Sequence, residues 1–267
     1  MPKVLITNDD GIGSPMLKVL VEAFITEAFD LHVAAPAEEQ SWIGRAFSRR
    51  RTVQVTPSSV FDCPAWSIGG TPSDCVNIAL GHLLPELPDL VVSGINIGTN
   101  TTLPLILSSG TIAGAIEGVA WGVPSIAFSQ QVEDIEAVRC HQNGNDAAYQ
   151  ESLRCAAAHA TRLASQCIGE RIEGLKVHNV NFPLHTTEQT SVRRTEPAIY
   201  PFRSLFQSAK KKGAYTFQFN LSDTKTGKDD GTDLGCLKEG CISYTVLDFA
   251  QLGRVSVTNS TSSQLIE

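Results

Sequence analysis

Short apolar runs recur along the first two thirds of the chain, separated by stretches whose apolar positions repeat at helical spacing. Val4–Thr7, Leu31–Ala35, Leu90–Ser93 and Ser125–Ser129 read as strands, and roughly Ser14–Ala28, Thr71–Leu84 and Gly110–Gly122 as helices. The runs Val-Leu-Ile, Leu-His-Val-Ala-Ala and Leu-Val-Val are continuous rather than alternating, as strands buried on both faces must be. Strands and helices in alternation predict an α/β fold with a doubly wound, mainly parallel sheet. The segment Thr71-Pro72-Ser73-Asp74 marks one helix start: a capping hydroxyl, a proline at the first helical position and an acid three places after the cap.

From Asn143 to Gly169 alanines and leucines at near-helical spacing predict a long amphipathic helix, and Lys176–Asn181 one more strand before Phe182-Pro183. Beyond about Thr190 the texture changes. Tyr215–Leu221 alternates strictly, and Lys225–Gly231 is a polar loop rich in Gly and Asp. The expected organisation is therefore a main α/β domain over 1–190 and a β-rich C-terminal extension over 191–267. On an isolated monomer Tyr215–Leu221 and Cys241–Phe249 would expose strand edges, which natural proteins avoid, and exchange of such elements makes dimers readily. A homodimer or homotetramer is expected.

Composition narrows the function. The 267 residues carry a net charge of −7 with a pI near 5.4, which argues against a basic face for duplex nucleic acid. The start, Met1-Pro2-Lys3, lacks the apolar core of a secretory leader, and no apolar run approaches the ~18 residues of a membrane span. A soluble, cytoplasmic protein without a membrane partner is expected. The seven cysteines are odd in number and form no Cys-x-x-Cys pair, so they read as reduced, packed side chains. No His pair has metal-binding spacing, and His32 sits in a strand pattern where core packing explains it.

The candidate chemistry begins where the first strand ends. Asn8-Asp9-Asp10-Gly11 sets two adjacent carboxylates at a strand's carboxyl end, the edge at which parallel α/β sheets bind ligands. Adjacent carboxylates repel unless a cation or shared proton neutralises them, and a hard divalent ion does so with oxygen ligands. The same four residues also suit a plain turn. Three further segments follow strands and converge if the sheet is parallel: Pro36–Gly44 with Ser41, Gly69–Pro72, and the stretch from Ser93 through Asn96 to Thr111. The Ser41 hydroxyl and the Asn96 carbonyl are neutral oxygen donors suited to Mg²⁺ or Mn²⁺, although a loop or cap accounts for either residue alone. Ser109, Gly110 and Thr111 open a helix, whose positive end favours an anion such as phosphate, or is simply capped by them. No Gly-x-Gly-x-x-Gly or Walker loop follows the first strand, so nicotinamide and P-loop readings drop.

Taken in order, several motifs resemble the stationary-phase survival protein E family of metal-dependent nucleotidases. They are Leu5–Ile12, Ala35-Pro36 with Gln40-Ser41, Gly70–Val76, Pro88–Asn100, Ser109-Gly110-Thr111, Asn179–Pro183, and Gly231-Thr232-Asp233 ahead of Ile242–Thr245. The resemblance implies a Rossmann-like α/β domain, a C-terminal extension that reaches into a partner subunit, and hydrolysis of nucleoside 5'- and 3'-monophosphates. Carried over by position, the family's metal ligands fall on Asp9, Asp10, Ser41 and Asn96, for one divalent ion, Mg²⁺ or Mn²⁺, per subunit. Two departures stand out. Trp42 follows Ser41 where the family usually has glycine, with Arg49-Arg50-Arg51 nearby, and Thr101–Ser108 is one residue longer and lacks the usual acidic residues and tyrosine.

On this reading the cation polarises the phosphate and acidifies a water that attacks phosphorus. Asp9 and Asp10 are the catalytic carboxylates, with Asp9 the better placed to orient or deprotonate the water. Asn96, Ser109, Gly110 and Thr111 would hold phosphate oxygens. Two alternatives share the features: a nucleotide-binding regulatory module of the same fold with little turnover, and a metal-dependent glycosyltransferase.

Overall fold

Near the middle of a nine-stranded sheet lies β1 (Lys3–Thr7), whose last four residues are buried. The computed structural model describes residues 1–139, 147–170, 174–200, 204–219 and 231–251. In chain order the strands continue with β2 (Asp30–Pro36), β3 (Val55–Ser58), β4 (Ala65–Ile68), β5 (Leu90–Ile97), β6 (Ser125–Gln130) and β7 (Lys176–Phe182). They end with β8 (Val192–Arg194), β9 (Phe206–Ser208), β10 (Tyr215–Phe217) and β11 (Ile242–Asp248). The helices are α1 (Pro15–Thr26), α2 (Pro72–Ile78), α3 (Leu103–Ser108), α4 (Gly110–Ala120), α5 (Ile135–Arg139), α6 (Ala147–Cys167) and α7 (Asp233–Lys238).

The sheet order is β3-β4-β2-β1-β5-β6-β7-β11-β8. From β4 to β7 every neighbour is parallel, while β3 and β11 run antiparallel to β4 and β7. The chain therefore builds outward from β1 through β2 to β4 on one side, then crosses back to lay β5, β6 and β7 on the other. That reversal opens a crevice at the carboxyl ends of β1 and β5, the standard ligand position of a doubly wound sheet. α1 and α6 cover one face and α2 and α4 the other. With both faces covered, all eight residues of β5 are buried, as its continuous apolar run requires.

The expected capping of α2 is present. Thr71 Oγ1 accepts from the Asp74 N–H at 3.1 Å, and Asp74 Oδ2 accepts from the Thr71 N–H at 2.9 Å. The α-helix stops at Ile78, and a single π-helical turn, Ala79–Leu83, completes the predicted stretch. At the end of β5 the pairing with β6 shifts register between Ser93 and Asn96. Gly94 permits this: its φ is +136°, and a Cβ there would lie 2.3 Å from the Phe128 carbonyl oxygen. Such an irregularity re-aims the next side chains, here Asn96.

Two short strands, β3 and β4, escaped the sequence reading because four residues broken by Pro57 or by polar positions carry too little periodic signal. The tail differs from expectation in one respect. The predicted strand Cys241–Phe249 is β11, which pairs with β7 on one side and β8 on the other, so it is an interior strand rather than an exposed edge. β10 pairs only with β9, and every residue of this hairpin's strands is exposed. The end of predicted Tyr215–Leu221, most of the Lys225–Gly231 loop, the first residues of the Asn143–Gly169 helix and Cys140 lie outside the described residues. The other six cysteines are free, and five of them are buried. Among the described residues no helix is long and apolar enough to cross a membrane.

Candidate metal and phosphate site

Because β1 ends at Thr7, the turn Asn8–Gly11 falls into the crevice. Asp9 is 3% exposed, and the Asp10 side chain is 1% exposed. Each carboxylate is held by hydrogen bonds from neighbouring segments. Thr111 Oγ1 donates to Asp9 Oδ1 at 2.6 Å, and the Ile97 N–H donates to Asp10 Oδ2 at 2.9 Å. Thr111 is in turn fixed by Asn100, whose Nδ2 donates to Thr111 Oγ1 at 3.2 Å and to Ser129 Oγ at 2.8 Å. The Asn100 backbone is anchored by Asn181 and Asn179 of β7, at 2.8 and 2.9 Å.

The remaining oxygen donors arrive from neighbouring loops. The Gln40 N–H donates to the Asp9 carbonyl at 2.7 Å, which pins the loop after β2 beside the turn and carries Ser41 with it. Asn96 Nδ2 donates to the Gly98 carbonyl at 2.8 Å, leaving its Oδ1 as the ligand atom. Asp9, Ser41, Asn96 and Ser109 line one cavity of about 550 Å³, while Asp10, Gly110 and Thr111, their neighbours in the chain, are not part of its lining. The structure thus gathers all four predicted metal ligands at one sheet edge.

Electrostatics fit a cation. Burial, and to a smaller degree the nearby Glu39, raise the Asp9 carboxyl to about 6, against the lowering effect of Thr111. Burial and then the charge of Asp9 push Asp10 well above the ordinary carboxylate range. Asp10 Oδ1 is buried without a hydrogen-bond partner. An orphaned carboxylate oxygen beside a second buried carboxylate is costly unless a positive ion sits there. The donor set, two carboxylates, a hydroxyl and an amide oxygen, is all oxygen and suits Mg²⁺ or Mn²⁺. Ser41 Oγ accepts one bond from Arg139 at 3.0 Å, and a hydroxyl oxygen has a second lone pair to offer.

The start of α4 behaves differently from a simple phosphate cradle. Ser109 Oγ accepts from the Ile112 N–H at 3.1 Å, so this hydroxyl caps the helix. A Cβ on Gly110 would lie 2.8 Å from the Asp9 Cβ and 2.9 Å from the Gln40 carbonyl, so only glycine lets the helix end rest directly on Asp9. The positive end of α4 therefore faces the Asp9 carboxylate itself.

Arg139 was not singled out from the sequence. Its Nη2 lies 2.8 Å from Glu39, 3.0 Å from Ser41 Oγ and 3.8 Å from Asp10 Oδ1, which makes it the cation standing nearest the acidic cluster among the described residues. It ends a five-residue helix more than forty positions beyond Asn96, and no local pattern signals it. Asn100 was quoted only as part of a motif; its network role depends on β7, remote in sequence. A separate group, Cys167, Glu170 and His178, gathers three possible metal ligands toward the amino end of β7. There His178 already bonds Glu170 at 2.9 Å and the Tyr244 hydroxyl at 2.6 Å.

Comparison with known proteins places these features. The family described as Survival protein SurE matches residues 4–202. The "5'-nucleotidase SurE" of Deinococcus radiodurans is 38% identical over 249 residues, covering 91% of this chain and 86% of that protein. The "5'-nucleotidase SurE" of Methanosarcina barkeri is 31% identical over 256 residues, covering 95% and 94%. The crystal structure of the SurE protein from Aquifex aeolicus superposes with a TM-score of 0.72 at 27% identity, covering 92% of this chain and 93% of that one. The family match spans every residue of the cluster from Asp9 to Arg139, and the fold around that cluster is shared. The chain belongs to the SurE family.

Proposed function

We propose that this chain is a divalent-cation-dependent 5'-nucleotidase that also accepts 3'-monophosphates, releasing nucleoside and inorganic phosphate. The observation that carries the reading is the convergence of two buried carboxylates, Asp9 and Asp10, with Ser41 and Asn96 at the crevice between β1 and β5. The names of the Deinococcus and Methanosarcina relatives support the substrate class.

Asp9, Asp10, Ser41 and Asn96 would hold Mg²⁺ or Mn²⁺, which supplies Lewis-acid polarisation of the phosphoryl oxygens and a lowered water pKa. Thr111 fixes the Asp9 rotamer, and the Ile97 N–H fixes Asp10. Asp9 lines the cavity and Asp10 does not, so Asp9 is the carboxylate assigned to take the proton of the attacking water. As water adds to phosphorus, the ester P–O bond breaks and the leaving ribose oxygen takes a proton from solvent. Arg139 is assigned to the non-bridging phosphate oxygens, where a planar guanidinium offers paired donors. Ser109 lines the cavity, and Gly110 lets the start of α4 rest on Asp9.

The test is phosphate release from AMP and GMP with Mg²⁺ or Mn²⁺, repeated in excess chelator and with Asp10→Asn. Turnover that survives both treatments would refute the metal assignment, and consumption of a nucleotide-sugar instead would point to group transfer. Tight nucleotide binding without phosphate release would favour a regulatory module, a reading that Trp42 and the altered Thr101–Ser108 loop motivate as departures from the family pattern. For assembly, we assign the exposed Phe206 and Tyr215 of the β9–β10 hairpin to a homo-oligomer contact. Light scattering of a stable monomer at micromolar concentration would contradict that.

A further inference from the structure

The cavity holding Asp9, Ser41 and Asn96 mixes polar and apolar walls, with Gln131, Glu133, Asp134 and Glu136 also among its lining. Trp42, Phe219, Leu105, Val132 and Ile135 supply apolar surface to it. At about 550 Å³ it lies within the range of small-molecule sites, which pair apolar walls with a few convergent polar groups.

Trp42 is an apolar lining residue next in the chain to a proposed cation ligand. It follows Ser41 directly, so its ring begins one residue, about 3.8 Å along the backbone, from a proposed cation ligand. Its φ is +62°. For a bulky side chain that is an outlier, and conformations of this kind persist where a site requires them. The indole meets two aromatic rings from the C-terminal hairpin. Phe217 lies at 4.9 Å and 65°, and Phe219 at 4.8 Å and 63°, between ring centroids and planes. Phe217 in turn packs edge-on against Phe206 at 5.7 Å. The hairpin, exposed along both strands, thus reaches the catalytic crevice through an aromatic cluster.

We propose that Trp42 and Phe219 form a nucleobase-stacking subsite, which selects nucleotides over base-free phosphomonoesters such as sugar phosphates. The proposal rests on the nucleotidase reading and names the part of the substrate that reading leaves open. A phosphate at the Asp9–Ser41 end places the rest of the molecule along the cavity toward the aromatic wall. Every base presents a π-face to such a wall, and stacking of one base on an aromatic side chain corresponds to roughly 5- to 100-fold in affinity. Purines, with the larger face, gain more than pyrimidines.

The experiment compares kcat/KM for AMP and for ribose 5-phosphate in the wild type, Trp42→Gly, Trp42→Phe and Phe219→Ala, with adenosine binding to each protein measured by calorimetry. Trp42→Gly relieves the positive φ, so it is not expected to unfold the chain. The expected result is an AMP to ribose 5-phosphate ratio that falls roughly 5- to 100-fold in Trp42→Gly, mainly through KM, and less in Trp42→Phe. Adenosine binding should weaken in parallel. Phe219→Ala, in an exposed hairpin, gives the same readout if the glycine variant does not fold. An unchanged ratio and unchanged adenosine affinity in the folded variants overturn the proposal. If the wild type hydrolyses neither phosphate ester yet binds adenosine through Trp42, the nucleotidase reading fails and the subsite stands; hydrolysis without any dependence on Trp42 or Phe219 is the reverse.

Discussion

Thr111 Oγ1 and Asp9 Oδ1 lie 2.6 Å apart, and this hydrogen bond, with one from the Thr111 backbone, ties the first turn of α4 to the end of β1. The two residues are 102 positions apart in the chain. Behind Thr111, Asn100 carries the support on to Ser129 of β6 and Asn181 of β7, so the orientation of one carboxylate rests on two further sheet strands. The helix N-terminus, which in isolation suggests a place for phosphate, is aimed first at a protein carboxylate.

Replacing Thr111 by valine keeps the shape and removes the hydroxyl. Asp9 Oδ1 and Asn100 Nδ2 each lose a partner, so a stability loss of about 1–3 kcal/mol is expected. Loss of a ligand's supporting hydrogen bond commonly costs roughly 10- to 100-fold, and kcat/KM for AMP should fall by that amount. Steady-state rates and thermal melts check both, and Thr111→Ser should retain most of the activity.

Asp10→Asn separates stability from function. The amide oxygen can still accept from the Ile97 N–H, while the repulsion with Asp9 disappears. In chelator, the variant should melt higher than the wild type, by roughly 2–4 °C for each kcal/mol of relieved repulsion. Its activity with Mn²⁺ should fall at least about 100-fold. A lower melting temperature in chelator would contradict the electrostatic account.

The same pair sets a pH dependence. Asp9 titrates at about 6 in the fold against 3.8 in the unfolded chain, so the folded state keeps a proton that the unfolded state has lost. Its contribution to stability is fully present below 3.8 and disappears as pH rises through about 6. His159 and His178 act oppositely: burial lowers both below 6.5, so protonation of the unfolded chain costs stability as pH falls. Comparing chelator-treated wild type with Asp10→Asn cancels the histidines, and the gap in melting temperature should widen from pH 5 to pH 7. Since a cation competes with the proton, calorimetric Mn²⁺ affinity should rise over the same interval.

Arg139→Gln removes the guanidinium 3.0 Å from Ser41 Oγ and 2.8 Å from Glu39. If Arg139 grips phosphate oxygens, kcat/KM should drop roughly 10- to 100-fold, with Arg139→Lys intermediate because an ammonium lacks the planar fork. Steady-state kinetics decides this, and equal activity in all three proteins would confine Arg139 to neutralising Glu39.

Glu117, 2% exposed on α4, accepts from Arg45 at 2.5 Å, Asn77 at 2.8 Å and Trp121 at 3.2 Å. Glu117→Ala leaves Asn77 and Trp121 without this acceptor while the part-exposed Arg45 turns to water, and should destabilise the protein by about 1–3 kcal/mol in denaturant titrations. Arg45 lies on the loop that carries Ser41, so residual activity well below the melting temperature should also fall.

Much of this architecture was readable locally. The continuous apolar runs became the parallel strands β1, β2, β5 and β6, the strand expected at Lys176–Asn181 became β7, and the Thr71–Asp74 pattern became the cap of α2. Runs of four residues such as β3 and β4 were not, since a period of two needs more repeats to show. β11 was read as an edge because alternation tells which face a residue occupies, not which strands flank it. In the site, Asp9 and Asp10 were visible because strand end and carboxylates are contiguous. Arg139 and the aromatic pair Trp42–Phe219 were not, because nothing near them in the chain encodes their meeting.

The sequence alone determined the order and type of most elements, the doublet of carboxylates at the end of β1 and the presence of Ser41, Asn96 and a helix-opening Ser-Gly-Thr. These depend on hydrophobic period, capping and turn chemistry, which act over a few residues. Only the tertiary structure decided that β5 returns beside β1, that Thr111 serves Asp9, that Arg139 stands against Ser41, and that the C-terminal hairpin lays Phe219 on Trp42. Those are contacts between segments tens to more than a hundred residues apart, selected by burial and pairing over the whole sheet rather than by any local preference of the chain.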